Sequence, residues 1–178
     1  MDPIDRESFR GQALKMISQS GFVLSAGDLS ALAVDDFGLG HFESEGFVWV
    51  DLLRSTKVRV ALITLLPGQS LPQHVHPPYE GEAGKEETMR VLWGQARIYV
   101  PGPANNPNVA VPPGKEAYYT VYHEVILEAG DQYTISPNTE HWFQGGPEGA
   151  VTITFQNRVD ETRNIFKEGR GCPIKLTD

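Results

Sequence analysis

The chain has 178 residues, with 15 Lys or Arg against 23 Asp or Glu, for a formal net charge of -8. Hydrophobic residues make up 40% and aromatic residues 10% of the chain, which suffices for one folded domain and excludes a disordered chain. The negative charge disfavours binding to phosphate backbones or anionic lipid, so we expect no nucleic-acid partner and no membrane partner.

Cysteine content and the first residues indicate the compartment. Cys172 is the single cysteine, which excludes an intramolecular disulfide and a cysteine-ligated metal site within one chain. Residues 1–7 are acidic and lack the basic and apolar stretches of a secretory signal, and no later apolar run approaches about 20 residues. We therefore expect a cytoplasmic protein.

The first 40 residues contain two helix signals. Asp2 followed by Pro3 is typical of a helix start, and an apolar stripe at helical spacing continues until Gly21. Ser25 with an acidic residue three positions later predicts a second short helix that ends near residues 36–40. We expect this part to form a helical extension, residues 1–40, that packs against the rest of the domain.

From Phe47 onward, short runs rich in Val, Ile, Thr, Tyr and Phe alternate with Gly and Pro, which is the pattern of successive β-strands. Their spacing of about ten residues favours an all-β sandwich or barrel. We expect a single domain, residues 1–178, whose barrel spans 47–160, with a surface excursion at the Pro-rich stretch 101–115. The strand candidates are 47–53, 58–66, 70–76, 87–93, 96–100, 123–127, 132–136 and 151–156.

A candidate metal site is spread over three strand candidates. His74 and His76 end one of them, and strand alternation places both imidazoles on the same face. Glu87 begins a later strand candidate, and His141 follows a turn at residues 136–138. Three imidazoles and a carboxylate suit Mn²⁺, Fe²⁺, Co²⁺, Ni²⁺ or Zn²⁺ and leave coordination positions open for a substrate.

Two motifs within residues 68–145 resemble those of the cupin superfamily. The first is a glycine followed by His-x-His and Glu87, with a longer gap than usual before the glutamate. The second leads from Gly130 to His141, with Asn138 at the position of the usual turn glycine; asparagine tolerates the positive φ required there. The resemblance implies an all-β fold, the double-stranded β-barrel or jelly roll of cupins, with one or two N-terminal helices.

A closer resemblance covers most of the chain. The segments HVHPPYEGEAGKEE (74–87), YYTVYHE (118–124) and GDQYTISPNTEHWFQGGPEGAV (130–151) are similar to the D-lyxose isomerase family, and the likeness extends to DFGLG at 36–40. It implies an isomerase that interconverts D-lyxose and D-xylulose, with D-mannose and D-fructose as a further pair. It also implies a divalent metal cofactor, Mn²⁺ in the first place, and a homodimer.

The reaction needs groups that move protons, because hydrogen passes between C1 and C2 through a cis-enediolate whose charge a metal ion would stabilise. Lys85 lies two residues before Glu87, so a regular strand would point it into the same interior to polarise oxygen or act as an acid; the alternative is a solvated surface lysine. Glu124 is our candidate for the base. Its competitors are Glu80, Glu82 and Glu86, and any of these carboxylates could instead be solvated.

Two other functions are compatible with these residues. The four ligands also suit Fe²⁺ and oxygen activation, so a cupin dioxygenase is the main alternative. A non-enzymatic sugar-binding cupin is more remote, because no DNA-binding helix pair or basic flank accompanies the barrel. The charged loop at 80–87 favours a polar pocket suited to an open-chain sugar.

Overall fold

A computed structural model describes the backbone of residues 3–157 and 161–168 and the side chains of 5–157 and 162–168. Asp2 and Cys172, on which two of the sequence predictions depend, lie outside the described residues. Within the described ranges, no helix is both long enough and apolar enough to cross a membrane.

The described residues form two α-helices, nine β-strands and two short 3₁₀ helices. The helices are α1 (Pro3–Gln19) and α2 (Ala26–Ala31), and the 3₁₀ helices are Glu116–Tyr118 and Glu161–Arg163. The strands are β1 (Ala33–Asp35), β2 (Phe47–Arg54), β3 (Val58–Leu65), β4 (Ser70–Val75), β5 (Glu87–Val100), β6 (His123–Glu128), β7 (Gln132–Ile135), β8 (His141–Asn157) and β9 (Ile165–Phe166).

The second helix begins as predicted but ends earlier. The Asp28 N–H donates to Ser25 Oγ (3.1 Å), and the Ser25 N–H donates to the Asp28 carboxylate (2.8 Å), which is a reciprocal capping box. The prediction that this helix continues towards residues 36–40 is wrong, because β1 forms there. Val34 pairs with Val48 of β2 and is buried, and this tertiary pairing overrides the local preference.

The long strands β5 and β8 run through two sheets that fold face to face. β8 pairs with β4 through its first half and with β3 through its second half. β5 pairs with β8 along both halves, with β7 at its start and with β6 at its end. One sheet therefore has the order β1-β2-β3-β8-β5-β7 and the other β9-β4-β8-β5-β6, all antiparallel. This arrangement confirms the predicted jelly roll.

The largest differences from the predicted strand boundaries are in β5 and β8. The candidates 87–93 and 96–100 form one strand, which bends where the register shifts next to Gly94. A Cβ on Gly94 (φ 73°) would lie 2.2 Å from the Gly149 carbonyl oxygen, so glycine is required for this close approach. β8 begins at His141 rather than at residue 151. The strand therefore includes the glycines at 145, 146 and 149, and its pairing with β5 holds the segment extended.

Three apolar clusters hold the layers together. The largest lies between the two sheets and includes Met89, Ile98 and Phe143. A second joins α1 to the outer face of the first sheet. The third lies on the outer face of the second sheet, where the irregular segment 101–122 covers Tyr99 and Trp142. The predicted surface excursion is therefore also a cover for one sheet.

Candidate metal centre and active site

The two cupin-like motifs place three histidines together. His74 lies near the end of β4 and pairs with His141, the first residue of β8, while His76 follows the last residue of β4. Asn138 adopts a φ of 57°, as predicted for its turn, and its N–H donates to the His76 carbonyl oxygen at 3.0 Å. The ring centroids lie 4.3 to 4.8 Å apart.

The geometry of the three imidazoles fits a metal ion. One ligand atom from each ring lies within 4.8 Å of the others, and all three side chains are buried. Nδ1 of His74 lies 2.9 Å from the Pro72 carbonyl oxygen, and Nδ1 of His141 lies 2.8 Å from that of Thr139. A carbonyl oxygen can only accept, so each Nδ1 carries the proton and Nε2 is the ring atom that can coordinate a metal.

The electrostatic environment keeps the rings of His76 and His141 neutral. Burial, with the positive charge of Lys85 and the other histidines, holds the pKa of His76 far below its ordinary value of 6.5. Burial and the neighbouring His74 lower the pKa of His141 to about 3. Both ring nitrogens of His76 and Nε2 of His141 have no hydrogen-bond partner among the described residues. Buried, neutral and unsatisfied imidazole nitrogens are the donors that a divalent metal requires.

Glu87, the predicted fourth ligand, approaches the cluster from the side of His76. It is the first residue of β5 and is 3% exposed. Its Oε2 lies 3.8 Å from His76 Nε2 and 3.4 Å from Lys85 Nζ, and its Oε1 accepts a hydrogen bond from Gln156 Nε2 at 3.0 Å. The structure therefore brings the predicted carboxylate to the histidines.

Lys85 also reaches this interior, although not by the predicted route. β5 begins only at Glu87, so no regular strand extends to Lys85. The loop instead folds tightly under His76: at Gly84 (φ 104°), a Cβ would lie 2.4 Å from the His76 carbonyl oxygen. The Lys85 side chain is consequently buried beside Glu87 rather than solvated at the surface.

Glu124, the predicted base, is not brought to the histidines. It pairs across the sheet with Tyr99, whose side chain packs on Trp142 in the outer cluster, away from the barrel interior. Its carboxylate accepts hydrogen bonds from the Tyr99 hydroxyl (2.8 Å) and from Asn106 Nδ2 (2.9 Å). Strand alternation thus gives Glu124 a structural environment on the outer face. The role of base is not supported by this position.

The three competing carboxylates lie in the loop between His76 and Glu87. Glu80, Glu82 and Glu86 are exposed, and none is among the residues that line the pocket described next. Glu80 accepts a hydrogen bond from the Tyr79 hydroxyl.

A pocket opens beside His74 and has two chemically distinct walls. Its empty space, including the open mouth, is about 390 Å³. The polar wall consists of Arg59, Lys85, Glu87, Gln156 and Asn164. The apolar wall consists of Phe37, Phe47, Ile63, Leu71, Phe143 and Phe166.

Arg59 and Gln156 are pocket residues that the sequence analysis missed. Arg59 Nε donates to the Asp51 carboxylate (2.5 Å), its guanidinium lies over the Trp49 ring, and its Nη1 lies 3.4 Å from Gln156 Oε1. The amide oxygen of Gln156 faces Arg59, and its amide nitrogen therefore faces Glu87. The available signal was strand alternation, since Arg59 and Gln156 occupy inward positions next to the inward residues Ala61 and Thr154 of their strands.

Comparisons of sequence identify relatives that match along nearly their whole length. The chain is 42% identical over 160 residues to a D-lyxose ketol-isomerase of Cohnella laeviribosi, covering 89% of this chain and 88% of the relative. It is 39% identical over 155 residues to a D-lyxose/D-mannose isomerase of Thermosediminibacter oceani, covering 86% of each chain. No family model matches the chain.

Solved structures with the same fold are L-ribose isomerases. The enzyme of Acinetobacter sp. DL28 in complex with L-ribose superposes with a TM-score of 0.78 at 15% identity, covering 96% of this chain and 94% of that one. The enzyme of Cellulomonas parahominis gives a TM-score of 0.75 at 15% identity, with the same coverage. At this identity the likeness establishes the fold, whereas the sequence relatives establish the family. The chain therefore belongs to the D-lyxose ketol-isomerase family and is a sugar isomerase.

Proposed function

We propose that this protein is a metal-dependent aldose-ketose isomerase that interconverts D-lyxose and D-xylulose, with D-mannose and D-fructose as a further pair. The observation that carries the proposal is the buried cluster of His74, His76 and His141 beside a pocket that contains Lys85 and Glu87. The substrates follow from the relatives, one of which is named for both D-lyxose and D-mannose.

The metal ligands we propose are the three histidines and Glu87, with Mn²⁺ as the ion and Co²⁺, Ni²⁺, Fe²⁺ or Zn²⁺ as alternatives. The unsatisfied ring nitrogens of His76 and His141, together with His74 and one carboxylate, form a donor set suited to these ions. When bound, such an ion polarises the carbonyl and the neighbouring hydroxyl of an open-chain sugar.

Proton transfer is assigned to Lys85, which lies beside the proposed metal ligand Glu87. Their side chains are 3.4 Å apart in a water-poor interior, where a lysine can hold a proton at a substrate oxygen as charge develops there. Glu87 is the carboxylate that lines the pocket among the described residues, and Glu124 does not line it. Lys85 therefore supplies a proton donor next to the proposed metal ligand.

The apolar wall orients the substrate and excludes water. Leu71, Phe143 and Phe166 line the pocket together with the polar residues. Such a surface packs against the C–H face of a sugar while its hydroxyl groups turn towards Arg59, Lys85 and Gln156. Water exclusion strengthens the electrostatic interactions on which the proton transfer depends.

We further propose a homodimer in the cytoplasm. The resemblance to the isomerase family supports the dimer, as does a row of partly exposed side chains across the outer face of the first sheet, which includes Leu53, Val60 and Phe155. A sedimentation-equilibrium mass equal to twice the chain mass of 19.7 kDa is expected. A mass equal to one chain would contradict the dimer.

The deciding experiment is turnover of D-lyxose by protein stripped with EDTA and resupplied with Mn²⁺ under nitrogen, with D-xylulose as the readout. We expect the His74→Ala variant to lose activity, whereas His41→Ala, which changes an exposed histidine outside the cluster, retains it. Absence of any ketose product with Mn²⁺, Co²⁺, Ni²⁺, Fe²⁺ or Zn²⁺, from a panel of pentoses and hexoses, would contradict the proposal. Oxygen consumption with Fe²⁺ would then favour the dioxygenase.

A further inference from the structure

An aromatic residue that precedes both cupin-like motifs reaches the pocket. Phe37 follows β1, is 2% exposed and belongs to the apolar wall. Its ring stacks on Phe47, with centroids 5.1 Å apart, and packs at 5.2 Å against Phe166. Phe166 in turn stacks on His74 at 5.2 Å. The ring of Phe37 is therefore joined to a proposed metal ligand through a single intervening side chain.

The backbone holds this ring in an unusual conformation. Phe37 has a φ of 56°, in the left-handed region that bulky residues rarely adopt. Its N–H donates to Asp35 Oδ1 at 2.7 Å, and the N–H groups of Gly38 and Gly40 donate to the Asp36 carboxylate at 3.1 and 3.2 Å. A strained conformation persists where its surroundings impose it, and such positions cluster at ligand-binding sites. The ring is thus a fixed part of the wall.

The position of the ring matches the length of a short sugar. The two centroid distances of 5.2 Å place Phe37 within about 10 Å of the His74 ring. With carbon–carbon bonds of about 1.5 Å, an extended five-carbon chain spans roughly 5 Å, and a sixth carbon adds roughly another 1 Å. A sugar whose C1 and C2 lie beside the histidines would then have its far end close to Phe37.

We propose that Phe37 is a specificity-determining residue that limits the length of the aldose the pocket accepts. This inference depends on the proposed function, since it concerns the same pocket and the same substrates. D-lyxose and D-mannose share their configuration at C2, C3 and C4 and differ by one CHOH unit. Comparing them therefore tests chain length alone.

The test is the ratio of kcat/KM for D-mannose to kcat/KM for D-lyxose in Phe37→Leu, with Phe37→Met as a second variant whose unbranched side chain is flexible. One carbon unit against an apolar wall alters selectivity by roughly tenfold or more, so we expect this ratio to rise about tenfold in Phe37→Leu. A rise is also expected in Phe37→Met, because a flexible side chain can yield to the longer substrate.

Phe42→Leu is the matched control. Phe42 is 3% exposed, but it packs on Phe9 beneath α1 and not in the pocket. In Phe42→Leu the ratio of kcat/KM for D-mannose to that for D-lyxose should equal the ratio of the unsubstituted protein, even if the thermal stability of the variant falls. An unchanged ratio in the folded Phe37 variants, or an equal rise in Phe42→Leu, would overturn the inference.

Binding of polyols separates this inference from the proposed function. Calorimetric affinities for D-arabinitol and D-mannitol, the reduced forms of D-lyxose and D-mannose, report pocket length without turnover. We expect the affinity for D-mannitol to increase relative to the affinity for D-arabinitol in Phe37→Leu. If the unsubstituted protein converts no aldose, the proposed function fails while this binding ratio still decides the role of Phe37, and an unchanged binding ratio overturns that role.

Discussion

At the scale of single residues, a buried pair of opposite charges lies in the pocket. Lys85 and Glu87 are 6% and 3% exposed, and each compensates the other at 3.4 Å. Buried charges are costly unless they are paired, so evolution retains them mainly where they have a function. Substitutions at these positions and at their immediate contacts should therefore separate catalysis, metal binding and stability.

Substitution of Lys85 by Met should reduce kcat while leaving metal affinity largely intact. Methionine retains the apolar stem but cannot donate a proton, and loss of an acid-base group typically lowers the rate 10²- to 10⁴-fold. Steady-state kinetics and a chelator competition on the same variant would measure both quantities. Lys57→Met, at an exposed position, is the control. Unchanged kcat in Lys85→Met would remove Lys85 from the mechanism.

Substitution of Gln156 by Leu should weaken metal binding. Gln156 donates to Glu87 Oε1 at 3.0 Å, and removing a hydrogen-bond partner that orients a metal ligand typically costs about 10- to 100-fold in affinity. Competition with a chromophoric chelator would measure the change. Gln132→Leu alters an exposed glutamine of β7 and should not change the affinity. Equal affinities in both variants would show that Glu87 needs no such partner.

Substitution of Glu124 by Gln should affect stability rather than catalysis. The amide can still accept from Tyr99, but its NH₂ group cannot accept the hydrogen bond from Asn106, so we expect a loss of about 1 kcal/mol in unfolding free energy. Urea denaturation and kcat would be measured together. A large fall in kcat at unchanged stability would restore Glu124 as the base.

At the scale of elements, two loops rather than strands position His76. The turn at 136–138 donates to its carbonyl oxygen through Asn138, and the loop that ends at Lys85 packs against the same oxygen at Gly84. His74 is held by the pairing of β4 with β8, whereas His76 lies just beyond β4 and is held by these two loops. The precision of the histidine cluster therefore depends on irregular backbone.

Gly84→Ala should disturb this arrangement. The new Cβ would lie 2.4 Å from the His76 carbonyl oxygen, so the loop must shift and displace Lys85. A misplacement of about 1 Å in a catalytic group can lower the rate about 10²-fold, which is the loss expected in kcat/KM. Gly81→Ala is the control, since Gly81 also has a positive φ (85°) in the same loop but has nothing within 4 Å of its Cβ position. Similar losses in both variants would indicate backbone strain alone.

The segment 101–122 is held by side chains instead of a β-ladder. The Tyr119 hydroxyl donates to the buried Glu45 at 2.7 Å, and Lys115 lies 3.4 Å from the same carboxylate. Burial and this hydrogen bond raise the pKa of Tyr119, so the hydroxyl stays protonated and continues to donate. These contacts keep the cover over Tyr99 and Trp142 in place.

At the scale of the whole molecule, the proposed metal site joins the two sheets. His74 and His141 lie where β4 and β8 pair in the second sheet, whereas Glu87 lies at the start of β5, where it pairs with Ile135 of β7 in the first. An ion held by ligands from both sheets would resist their separation. Metal binding is therefore expected to be coupled to the stability of the barrel.

Adding metal should raise the thermal midpoint, and lowering the pH should destabilise the metal-free protein. An ion at 100 times its Kd adds about 2.7 kcal/mol to the free energy of unfolding, which raises the thermal midpoint by roughly 5 to 10 °C for a chain of this length.

The pH dependence follows from His141, whose pKa is about 3 in the folded state against 6.5 ordinarily. Between these two pH values the unfolded chain binds a proton at His141 that the folded chain does not. The free energy of unfolding therefore decreases as the pH is lowered, by up to about 1.4 kcal/mol per pH unit.

Calorimetry with and without Mn²⁺, together with urea midpoints between pH 7 and pH 4 in EDTA, would test this coupling. His74→Ala should abolish the Mn²⁺-dependent rise, whereas His41→Ala should preserve both the rise and the pH dependence. A rise that persists in His74→Ala would place the metal elsewhere.

The sequence by itself determined the strand-rich barrel, the capped second helix and the set of His74, His76, Glu87 and His141. Strand alternation, turn residues and motif spacing are local properties, and they can be interpreted without knowing which strands meet. Asn138 illustrates this, because its tolerance of a positive φ is an intrinsic property of asparagine. The family resemblance depended on the same short segments.

Only the tertiary structure decided which other groups reach the site. Gln156 meets Glu87 across 69 positions of the chain, and Glu124 is directed to the outer face by its pairing with Tyr99. The helix predicted to continue beyond Ala31 gives way to β1, because β2 offers it a partner. Such outcomes depend on strand register and loop closure between distant segments, which no local pattern encodes.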